Sequence, residues 1–115
     1  MKTYALIFRM DITTKSAQPS AAQMKIYMEQ WGEWINFLAK GNNLAEGGNH
    51  FSSKGKVLRP KNKVEDGVYV VKKESVAGYV LIHAKNMTEA VKLGKKCPIL
   101  DGKGTSVEVR EVAGM

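Results

Sequence analysis

The sequence predicts an α+β fold: one antiparallel sheet with two helices packed on the same face. Three observations predict it. Two segments rich in large apolar side chains, Lys2 to Met10 and Gly78 to Ala84, read as strands. Two amphipathic segments, opening at Ser20 and at Asn86, carry helix caps. Their order along the chain is strand, helix, strand or hairpin, strand, helix, strand, which is the ferredoxin-like plan.

The first strand sets Tyr4, Leu6, Phe8 and Met10 against Thr3, Ala5, Ile7 and Arg9, so both of its faces are substantially apolar. The polar run Asp11 to Pro19 ends it. Ser20 with Gln23 has capping-box spacing, in which each residue satisfies an orphan backbone N–H of the other. Met24, Tyr27, Met28, Trp31, Trp34, Ile35 and Leu38 then recur at three- and four-residue steps and share one broad helix face. Gly41 is placed to close that helix in the left-handed conformation. The region from Asn42 to Lys63 reads as a loop, with Gly47-Gly48 as a turn and one short strand around Lys56 to Arg59.

A strand pair is expected next: Val68 to Lys73, a turn near Glu74 to Ala77, and Gly78 to Ala84, whose Tyr79, Leu81 and His83 share one face. Asn86 with Glu89 caps the second helix, and Met87, Ala90, Val91 and Gly94 form its apolar stripe. Asp101 to Gly104 is a turn before the closing strand, Thr105 to Val112. Two helices cover only one face of such a sheet. The strands at Lys2 to Met10 and Gly78 to Ala84 are apolar on both, so a homodimer closing the second face is expected.

Composition limits the function classes. A chain of 115 residues with 43% apolar content fits one domain over 1–115 with one core. No apolar run approaches the ~20 residues of a membrane helix, and no signal-peptide pattern precedes the first strand, so a cytoplasmic location is expected. The single cysteine, Cys97, has no partner for an internal disulfide and reads as a small buried apolar residue. The formal charge of +7 raises nucleic acid as a partner, with Lys54, Lys56, Arg59, Lys61 and Lys63 as the local cluster. No aromatic residue alternates with those charges as a stacking platform needs, which disfavours that reading.

The residues also carry a resemblance. Asp66-Gly67-Val68-Tyr69, Lys73-Glu74, Ala77-Gly78-Tyr79, Asn86 with Glu89-Ala90, Cys97-Pro98 and Val107-Glu108-Val109-Arg110 follow one another in a set order. In that order the chain resembles the YCII-related domain proteins, in their DGPF-type branch, over nearly its whole length; the opening strand, the Ser20 helix and Gly47-Gly48 fit as well. The resemblance implies a dimeric α/β-barrel. Two positions depart from the pattern: Val68 stands for the signature proline, and His83 for the acidic residue usual there. Much of that family has no assigned function. Some members of the wider superfamily look like small enzymes with a His–Asp pair, and others bind ligands or serve as modules.

The candidate chemistry starts from the two histidines, His50 and His83, the side chains that titrate near neutral pH. His50 follows the Gly-Gly pair, and a His50–Asp66 pair would suit proton abstraction, with Asp66 as orienter. The expected function is binding of a small anionic or aromatic organic molecule in a cleft beside the sheet. Tyr69, Tyr79 and Leu81 are the expected walls and His83 a polar edge. If the protein is an enzyme, a lyase or isomerase step is expected; the alternative is a non-catalytic dimerisation or sensing module. No cofactor is implied. Two separated histidines and scattered acids give no metal-ligand spacing.

Overall fold

The computed structural model describes residues 1–114. A four-stranded antiparallel sheet, in the order β2-β5-β1-β6, is built from β1 (Lys2–Asp11), β2 (Leu44–His50), β5 (Glu74–Ala84) and β6 (Thr105–Glu111). Helices α1 (Ala21–Lys40) and α2 (Met87–Gly94) pack on one face of it, and β3 (Lys56–Arg59) and β4 (Lys63–Asp66) form a separate hairpin. This α+β arrangement is compatible with the ferredoxin-like plan. The register follows from alternation. Tyr4, Leu6 and Phe8 of β1 lie beside Ile82, Val80 and Gly78 of β5, all facing the helices. Trp31, Trp34 and Leu38 of α1 with Ala90 and Leu93 of α2 close the core over them. The two helices are tied together where Trp34 Nε1–H donates to Leu93 O at 3.2 Å, which satisfies a carbonyl in the last turn of α2.

Both N-terminal caps form as the spacing predicts. Ser20 Oγ accepts from Gln23 N at 3.2 Å while Gln23 Oε1 accepts from Ser20 N at 2.8 Å. Asn86 Oδ1 accepts from Glu89 N at 2.9 Å. The close of α1 differs. Gly41 has φ −85°, and the left-handed residue is Asn42, at φ 59°. Asparagine tolerates that region better than most side chains, and Asn43 N donates back to Leu38 O at 2.8 Å. In α2, Leu93 rather than Met87 completes the buried stripe, and Met87 is exposed.

Two further expectations are corrected. The stretch read as a loop contains β2, and the predicted strand Val68 to Lys73 does not form. Lys72 and Lys73 both have positive φ, 50° and 70°, so they make the two-residue hairpin turn themselves. Only Val71 pairs, with Glu74, and β5 therefore starts where the turn was expected. Gly67, at φ 91°, breaks the run from the other side.

The molecule is flat, 42 × 41 × 19 Å along its principal axes. Its radius of gyration of 15.3 Å exceeds the ~13 Å usual at this length. The β3–β4 hairpin accounts for the excess: it pairs with itself, packs little against the rest, and leaves Leu58 and Val64 exposed side by side.

Candidate functional site

Helix lengths set the position of a cavity beside α1. Helix α1 has twenty residues and spans about 30 Å, whereas α2 has eight and spans about 12 Å. The sheet beneath them is longer than α2, so the N-terminal half of α1 has no helix beside it. There Met24 and Met28, expected in the core stripe, are exposed, and Tyr27 is half-buried. The resulting cavity, of about 790 Å³, is floored by Phe8, Met10 and Thr105 and walled by α1. The 3-10 turn Pro98–Asp101 and residues Gly102 and Lys103 form the opposite side. His50, Phe51 and Ala77 close the end. The lining is predominantly apolar, the composition expected of a small-molecule site.

His50 reaches this cavity because of two glycines. Gly48 has φ 67°, and a Cβ there would lie 1.7 Å from Tyr79 O, so β2 approaches β5 more closely than any side chain allows. The pairing slips between Glu46 and Asn49, and His50 lands opposite Gly78, on the helix face. Gly78 is also flanked by Phe8 of β1. With no side chain between them, both rings reach the Trp31 indole: Phe8 at 4.9 Å between centroids and His50 at 4.7 Å, each edge to face. Desolvation there lowers the His50 pKa, so near neutral pH the imidazole is uncharged and can accept a proton or a hydrogen bond.

The other residues named from the sequence lie elsewhere. Asp66 is exposed on the hairpin, where its carboxylate pairs with Lys56 Nζ. Among the described residues no hydrogen bond joins it to His50, whose pKa is shifted by desolvation with no carboxylate contributing. Tyr79, Leu81 and His83 are half-buried on the opposite face of the sheet, beside Ile7, Ala5 and Thr3. There the Tyr79 hydroxyl donates to Glu46 Oε1 at 3.1 Å, and His83 Nδ1 lies 3.5 Å from Thr3 Oγ1. Tyr69 is exposed at the hairpin base with the Arg59 guanidinium 5.4 Å from its ring centre. None of these five lines the cavity. Of the basic cluster, Lys56 and Arg59 are neutralised by Asp66 and Glu65. Among the described residues no three His, Cys, Asp or Glu side chains gather as a metal site, and no helix is long and apolar enough to cross a membrane.

From the sequence, Tyr27, Trp31 and Trp34 could wall a hydrophobic pocket, with core as the favoured reading; Tyr27 does line the cavity, Trp31 and Trp34 are core, and the remaining walls were missed. The signal was present as a stripe of large side chains on α1 that is longer than α2 can cover. No protein-family model matches the chain, and no curated protein is significantly similar to it.

Proposed function

We propose that the protein binds a small, mostly apolar organic molecule in the cavity between α1 and the sheet, with His50 as its main polar contact. The observation that carries this reading is the His50 imidazole held edge to face on the Trp31 indole, 4.7 Å between centroids, at the end of an apolar cavity. A molecule of one or two rings would fit within the cavity, and the exposed Met24 and Met28 could adapt to its outline. In an enzymatic form of the reading His50 takes up a proton, as in an isomerase or lyase step. Its orientation comes from packing on Trp31, since Asp66 lies on the hairpin. That separation is also what favours the second reading, a ligand-binding or sensing module without chemistry.

The assembly belongs to the same proposal. The sheet face away from the helices presents Ala5, Ile7, Val76, Tyr79 and Leu81 with no helix over them. A second copy packed face to face would cover them and complete an α/β-barrel, in keeping with the resemblance to DGPF-type proteins. The binding reading is tested by following tryptophan fluorescence against a panel of one- and two-ring aromatic compounds. Saturable quenching that weakens at least tenfold in His50→Ala is expected. No saturable response across the panel would overturn the reading.

A further inference from the structure

We propose that Tyr27 is the second polar working group of this cavity, and that with His50 it selects carbonyl compounds bearing an α C–H bond. The inference rests on the cavity being a ligand site and names the class of ligand.

The geometry comes from a shared wall. Tyr27 precedes Trp31 by one helical turn, so their side chains stack along α1, with ring centroids 5.9 Å apart. His50 meets the same indole from β2, at 4.7 Å. Trp31 is buried and held in turn by Phe8 and Trp34, so it fixes both polar rings at the cavity surface. Among the described residues neither the Tyr27 hydroxyl nor a His50 ring nitrogen makes a hydrogen bond to protein; the unpartnered hydroxyl of half-buried Tyr27 is not sealed from solvent, and His50 is an exposed residue. Both groups are therefore open to whatever fills the cavity. Several other polar side chains of the lining are already committed: Gln23 to the helix cap, Gln18 to the Asp11 and Thr14 carbonyls, and Thr105 to Gly102 O.

The protonation states fit complementary roles. Burial and the neighbouring Cys97 raise the Tyr27 pKa, so the phenol keeps its proton and donates. His50 is uncharged and accepts. One free donor and one free acceptor in an apolar cavity suit a ligand with an oxygen acceptor and an acidic hydrogen close to it. A ketone, ester or lactone with an α C–H bond has both. A bare carboxylate would lose hydration with only the exposed Lys103 of the lining as a cation, and Asp101 lines the same side.

The chemistry closes without a co-reactant. The unprotonated His50 nitrogen takes the α proton, and the C–H electron pair becomes the C=C bond of an enolate. The carbonyl π pair moves to oxygen, where the Tyr27 O–H holds it. The imidazolium then returns the proton to the same carbon or to a conjugated one, giving exchange or isomerisation.

The bicyclic ketone 2-tetralone and its hydrocarbon analogue tetralin separate the possibilities. Binding is read by tryptophan fluorescence, and exchange of the ketone α hydrogens in D2O by proton NMR, against buffer alone. The ketone is expected to bind at least tenfold tighter than the hydrocarbon. Tyr27→Phe, which keeps the ring on Trp31, should erase that preference and leave tetralin binding unchanged. Exchange above the buffer rate is expected, falling at least tenfold in Tyr27→Phe and to the buffer rate in His50→Gln. Equal binding of both compounds, unaltered by Tyr27→Phe, would overturn the role of Tyr27 while leaving the cavity as a binding site. Failure of both compounds to bind would remove the site itself.

Discussion

At position 50 the imidazole gives up part of its hydration for contact with an indole, and this has a measurable consequence. The folded state binds a proton at His50 less readily than the unfolded chain, whose histidine has a pKa near 6.5. The associated stability is complete above about pH 6.5 and is lost as pH falls through the lower folded-state value. The melting-temperature gap between wild type and His50→Gln should therefore shrink between pH 7.5 and pH 5. A gap that widens on acidification would mean that an acid faces the ring. Little of this was legible in the sequence. His50 and Asp66 look alike as polar residues near glycines, and only the slipped pairing of β2 turns one toward Trp31 while the other stays on the hairpin.

The elements differ in how far local chemistry determines them. The helices were legible because their caps act within three residues: Ser20 with Gln23 and Asn86 with Glu89 form as their spacing requires. Strand β2 was not, because Leu-Ala-Glu-Gly-Gly-Asn-His has no period-two pattern and pairs only through tertiary contact with β5. The lysines at 72 and 73 carry no usual mark of a hairpin turn, so that turn was misplaced. The two glycines of β2 provide the test at this scale. Gly47→Ala meets open space and should change stability by less than about 0.5 kcal/mol. Gly48→Ala, at φ 67° and against Tyr79 O, should cost more than about 2 kcal/mol in denaturant unfolding. Equal effects would contradict the close β2–β5 approach that places His50.

For the whole molecule, the sequence indicated both a helix-covered face and an uncovered one, from strands apolar on each side. It did not indicate which face carries the cavity. That depends on the mismatch between a twenty-residue and an eight-residue helix, which becomes meaningful only once both lie on one sheet. The face-to-face assembly predicts a solution mass about twice the 12.7 kDa of the chain by light scattering. Leu81→Lys, on the uncovered face, should shift it toward the monomer. Ligand binding on the other face should persist in that variant, since Leu81 does not line the cavity. A wild-type chain that stays monomeric at tens of micromolar would contradict the assembly.

The central claim is that the working cavity lies between α1 and the sheet, with Tyr27 and His50 at its wall and Trp31 buried behind them. Titrating 2-tetralone into isotope-labelled protein and following amide, indole and imidazole resonances by NMR tests it most directly. The account predicts saturable shifts at the Trp31 indole, His50 and Tyr27. Shifts confined to Tyr79, Leu81 and His83 would place the site on the opposite face and contradict it.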